Sequence, residues 1–134
     1  MNHTHVKAFF AMAVLALSAA AHAQVAVVMS PSAAGLSKDQ VANLYLGRSF
    51  DLKLIDLPEG SPIKEQFYKK ATDRDLSQVK STWSRIVFSG KGQAPKELPD
   101  AAAVKKAVAS DPKAVGYIDK ASVDGSVKAV LVLD

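Results

Sequence analysis

Hydrophobic positions along the chain fall into two kinds of block. Short β-branched runs alternate with longer stretches that carry one apolar residue every third or fourth position. "QVAVVM", Gln24 to Met29, is a continuous apolar run ended by Ser30-Pro31 and predicts a buried strand. "LSKDQVANLYLG" predicts a helix: Ser37 with Gln40 forms a capping box, Leu36 and Val41 a hydrophobic staple, and Gly47 a left-handed stop. Leu52 to Leu57, "LKLIDL", predicts a second strand, closed by the turn Pro58-Glu59-Gly60.

The next helix has Ser61 as N-cap and Pro62 at its first position, where a missing N–H costs nothing, with Ile63, Phe67 and Ala71 as its inward stripe. A third helix, capped by Asp73 or Asp75, places Leu76, Val79, Trp83, Ile86 and Val87 in helical phase up to Ser89-Gly90. "GKGQAPKELP" predicts a turn-rich loop, and Asp100 opens an Ala-rich fourth helix that Asp111-Pro112 stops. "AVGYI" and "VKAVLVL" predict two closing strands around the Asp124-Gly125 turn. Strands alternating with helices imply an α/β layer architecture with partly parallel pairing.

The N-terminus has a different pattern. Lys7 precedes the apolar run "AFFAMAVLALSAAA", and Ala21-His22-Ala23 follows, the layout of a secretory signal peptide cleaved before Gln24. Residues 1–23 are therefore expected to be removed, leaving residues 24–134 as one exported, periplasmic domain with a single core.

That division changes the available chemistry. The three histidines, His3, His5 and His22, all lie in the signal, and the chain has no cysteine. The mature protein thus lacks imidazole and thiol, which excludes disulfides, thiolate catalysis, His bases and zinc sites built from His or Cys. The net charge of +4 falls to +3 once Lys7 is gone. This modest basic balance favours anionic ligands or acidic surfaces at long range. Export and the lack of a basic-aromatic motif argue against nucleic acid.

Candidate chemistry centres on Gly60, Ser61 and Lys64. A helix N-terminus presents unpaired N–H groups and the positive end of the dipole to an anion. Gly60 permits close approach, Ser61 adds a hydroxyl, and Lys64 adds a charge in the first turn, where helix stability alone prefers an acid. The same residues also read as an ordinary capped helix, which spacing alone favours. Ser61 and Lys64 fit the S-x-x-K nucleophile pattern, but the accompanying S-D-N and K-T-G elements are missing and no catalytic residue is assigned. Asp51, Asp56, Glu59, Asp73 and Asp75 read as solvated or capping acids, with no metal loop and no cofactor implied.

In order along the chain, "GLSKDQVANLYLGRS", "EGSPIKEQF" and "TWSRIVFSGKGQAPKELPDAAAVKKAVASDPKAVGYI" resemble successive motifs of the phosphate-type periplasmic substrate-binding proteins. "EGSPIKEQF" falls where that family has a Gly-Ser-Gly-Thr-Arg-Glu-x-Phe anion loop, with Gly60, Ser61, Lys64, Glu65 and Phe67 matching in kind. The resemblance implies a single lobe of a type 2 periplasmic-binding-protein-like fold, a mixed sheet of about four or five strands flanked by about four helices. It further implies a non-enzymatic protein that binds phosphate or a related oxyanion, linked to ABC-type uptake through a membrane transporter. A homodimer or a partner protein would supply the missing second lobe.

Two departures stand against it. Pro62 replaces the loop's second glycine and Ile63 its threonine, removing an N–H and a hydroxyl. Two lost hydrogen bonds to a charged ligand, at roughly 1.5–3 kcal/mol each, weaken binding by about a hundredfold or more. The alternative is an envelope interaction or regulatory protein that keeps the lobe fold without useful anion binding.

Overall fold

The computed structural model describes residues 24–134. The predicted signal peptide lies outside them. Five strands, β1 (Val25–Met29), β2 (Lys53–Asp56), β3 (Lys96–Glu97), β4 (Ala114–Asp119) and β5 (Lys128–Leu133), form one mixed sheet in the order β3-β2-β4-β1-β5. β2 runs parallel to β3 and to β4, whereas β1 runs antiparallel to both β4 and β5. β1 is buried at all five positions, as a run without polar alternation requires.

Four helices cover the sheet: α1 (Lys38–Tyr45), α2 (Pro62–Thr72), α3 (Leu76–Phe88) and α4 (Ala101–Ala109). Tyr117 of β4 stacks on Phe67 of α2 with ring centroids 3.9 Å apart, while its neighbour Gly116 faces Val104 and Val108 of α4. Successive strand residues point to opposite faces, so α2 and α4 lie on opposite sides of the sheet. Gly116 is required by proximity: a Cβ there would lie 2.7 Å from Val104 Cγ1.

Local signals explain the helix ends. Ser37 Oγ accepts the Gln40 amide at 3.1 Å and Gln40 Oε1 accepts the Ser37 amide at 2.8 Å, completing the capping box. Of the two candidate caps for α3, Asp75 forms the box with Gln78, and Asp73 instead ends α2 in the left-handed region at φ 59°. Asp100 caps α4 through the Ala103 amide at 2.9 Å.

Buried polar groups then fix the layers. Tyr45 Oη donates to the carbonyls of Ile55 (2.7 Å) and Val115 (3.1 Å), tying α1 to β2 and β4. Trp83 Nε1 donates to the Tyr45 carbonyl at 2.8 Å, tying α3 to the end of α1.

The loop expected over "GKGQAPKELP" differs from the structure in one respect. Lys96 and Glu97 pair in parallel with Ile55 and Asp56 as β3, a two-residue edge strand with both residues exposed. Its backbone pairing with β2 makes it a strand, so no hydrophobic alternation announces it.

Candidate functional site

The turn Pro58-Glu59-Gly60 delivers the chain from β2 into α2. Gly60 adopts φ +96°, a conformation that favours glycine, and its Cα faces open space. The Ser61 amide donates to the Pro58 carbonyl at 3.1 Å, closing the turn. Ser61 is the N-cap residue by backbone geometry, yet its hydroxyl makes no capping hydrogen bond. Pro62 offers no N–H, and the Lys64 amide is taken by the Ser61 carbonyl at 3.1 Å.

Lys64 departs from this corner. Its side chain is only 10% exposed and turns toward the sheet, with Nζ 3.2 Å from Glu97 Oε2 and 3.7 Å from Asp56 Oδ2. The register explains why a cation sits there. Asp56 of β2 is paired directly with Glu97 of β3, and two carboxylates side by side repel unless a positive charge stands between them.

Asp56, expected to be solvated or capping, is buried. The correction follows from its donors: Oδ1 accepts the Leu57 amide at 2.9 Å and the Tyr117 hydroxyl, and Oδ2 accepts the Tyr68 hydroxyl at 2.6 Å. Hydrogen bonds and Lys64 together compensate the loss of water around the carboxylate. Burial, then the nearby Asp56 charge, pushes the phenols of Tyr68, Tyr117 and Tyr45 above their ordinary range. One signal for this network was present in the sequence: Asp56 shares a strand face with Leu54, in an apolar phase.

This cluster forms one side of a cavity of about 460 Å³ between α2, α3 and the segment before β3. Leu76, Val79, Trp83, Val87, Phe88 and Pro95 make its apolar wall. At its rim Lys80 Nζ meets Glu59 Oε2 at 2.8 Å, a pairing that lowers the Glu59 carboxyl and raises the Lys80 ammonium. The structure thus brings Gly60 and Ser61 together at an open corner and sends Lys64 to the cavity floor beside it. Among the described residues no group of three or more His, Cys, Asp or Glu is placed to hold a metal ion. No described helix is long and apolar enough to cross a membrane.

No protein-family model matches the chain, and no curated protein does. Solved structures do. A crystal structure of an ABC-type phosphate transport receptor from Vibrio cholerae superposes with a TM-score of 0.62 at 22% identity, covering 80% of this chain and 46% of that one. The fold is similar to about half of that receptor. A phosphate ABC transporter substrate-binding protein with bound phosphate, from Clostridium perfringens, gives a TM-score of 0.59 at 16% identity, covering 80% of this chain and 44% of that one. The single α/β lobe, with a five-stranded mixed sheet flanked by four helices, matches the type 2 periplasmic-binding-protein-like architecture. The chain spans less than half the length of either structure.

Proposed function

We propose that this chain is an exported, periplasmic, non-enzymatic solute-binding protein that takes phosphate or a related oxyanion at the Gly60-Ser61 end of α2. The observation that carries this reading is the Ser61 hydroxyl, which makes no capping hydrogen bond, beside the open face of Gly60, on an 11-residue helix whose dipole favours an anion. The structures it resembles are described as a phosphate transport receptor and a protein with bound phosphate, which supports the ligand class and an ABC-type importer as partner. A second copy or another protein supplies the contacts of the missing lobe.

Binding at one lobe is weak. Lys64 is already matched by Asp56 and Glu97, so its charge reaches the corner only in part, and Pro62 contributes no donor. Calorimetric titration with phosphate and sulfate tests the proposal, using Ser61→Ala as the control. Saturable binding lost in the variant supports it. Heat that does not saturate, or binding unchanged by Ser61→Ala, sinks it.

The Lys64 pairing favours a second reading, an envelope interaction protein that keeps the lobe without useful anion affinity. The two part on one variant: Pro62→Gly with Ile63→Thr returns two donors. It strengthens phosphate binding by about a hundredfold if the corner holds an anion. It changes nothing if the corner does not.

A further inference from the structure

We propose that the cavity between α2 and α3 is a binding site for a small amphipathic ammonium ion, distinct from the oxyanion corner and independent of that reading. Its volume of about 460 Å³ lies within the range of small-molecule sites, which combine apolar walls with a few placed polar groups. The wall from Leu76, Val79, Trp83 and Val87 supplies the apolar surface, and Val87 and Phe88 remain exposed at its mouth, 49% and 93% respectively.

Charge selects the ligand. The cavity is lined by three carboxylates, Asp56, Glu59 and Glu97, and by two lysines, Lys64 and Lys80, which leaves one negative charge in excess. Two of the carboxylates are spoken for. Asp56 is enclosed by Tyr68, Tyr117, Leu57 and Lys64, and Glu59 is paired with Lys80 at the rim.

Glu97 is the one with room for another partner. Its side chain is 52% exposed, and only its Oε2 is engaged by Lys64. A primary ammonium beside Glu97 completes the alternation of charges in a cavity that Trp83 also lines, and an aromatic ring attracts cations across its face. An anion in the same place would face three carboxylates with both lysines already paired. The hollow on the other side of Ala94 and Pro95 contrasts with this one. It carries Lys53, Lys91 and Lys96 and no carboxylate, so a cation has no reason to settle there.

The chain's single tryptophan lines the cavity and also borders the neighbouring hollow, so its fluorescence reports a ligand in either, and the Glu97 and Lys91 variants assign the signal. The purified protein is titrated with 2-phenylethylammonium and with its neutral isostere 2-phenylethanol. The amine is expected to bind about tenfold more tightly than the alcohol, the worth of one partly screened charge contact. Glu97→Gln removes that preference and leaves the alcohol unchanged. Val87→Arg, at an exposed position that tolerates substitution, weakens the amine by placing a cation at the mouth. Lys91→Glu, in the neighbouring hollow, has no effect, and phosphate does not compete. Equal binding of amine and alcohol, no saturable signal from either, or an amine preference that survives Glu97→Gln overturns the proposal.

Discussion

Replacing Lys64 by methionine separates a structural counter-ion from a spare ligand-binding cation. The wild-type ammonium lies 3.2 Å from Glu97 and 3.7 Å from Asp56, on a side chain only 10% exposed. At an effective dielectric constant near 20 each contact has a gross attraction of roughly 4–5 kcal/mol, much of it offset by desolvation of the ions. Removing one partner of a buried pair costs about 3–5 kcal/mol. Asp56 retains its tyrosine and amide donors, which places Lys64→Met near 3 kcal/mol.

Urea unfolding followed by Trp83 fluorescence and circular dichroism reads this as a fall in the midpoint of about 1.5–2 M. Glu97→Gln, at the half-exposed partner, costs about 1 kcal/mol or less. A double-mutant cycle of Lys64→Met with Asp56→Asn should show coupling of about 1–3 kcal/mol. A Lys64→Met midpoint within about 0.3 M of wild type would refute the reasoning, because it would mean that Asp56 does not need the ammonium.

Three further outcomes follow from the same contacts. All three tyrosines of the chain are buried with phenols held above the ordinary value of 10.0, so the unfolded chain releases protons that the folded one keeps. Their contribution is fully present below pH 10 and is lost as pH rises above it, at about 4 kcal/mol per pH unit for three groups; absorbance at 295 nm should therefore rise together with the loss of ellipticity. Phenolate appearing near pH 10 with ellipticity intact contradicts this. Gly116→Ala should destabilise by about 1–3 kcal/mol in urea, since Val104 must move from a Cβ 2.7 Å away, and an unchanged midpoint would show that α4 yields freely. Ser61→Ala should cost no more than a few tenths of a kcal/mol while Asp75→Ala costs about 1, because of these two N-caps Asp75 alone makes a capping hydrogen bond; equal losses would mean that the Ser61 hydroxyl is committed to the helix.

Much of the fold was legible because it rests on local signals. The apolar run of β1, the capping box at Ser37, the acidic cap signal at Asp73 or Asp75, of which Asp75 is the cap, and the glycine stops all act within a few residues. β3 was not legible, since its two exposed residues are a strand only by pairing with β2. The same long-range register hid the cluster on the cavity floor: nothing in sequence order joins Glu97 to Asp56, and Lys64 points inward because those two carboxylates meet. Gly60 and Ser61 lie at the corner that the turn and cap signals indicated, whereas the Lys64 side chain, read with them from its place in the first turn, is paired with Asp56 and Glu97 on the floor of the adjoining cavity.

The most direct test of the proposed function is an amide-resolved NMR titration with phosphate up to about 10 mM, enough to fill most of a site whose dissociation constant is near 1 mM. The account predicts saturable shifts centred on the amides of Gly60, Ser61 and Ile63, lost in Ser61→Ala and accompanied by little change around Lys64 and Glu97. Shifts that are absent, or that gather around Lys53, Lys91 and Lys96 instead, would contradict it.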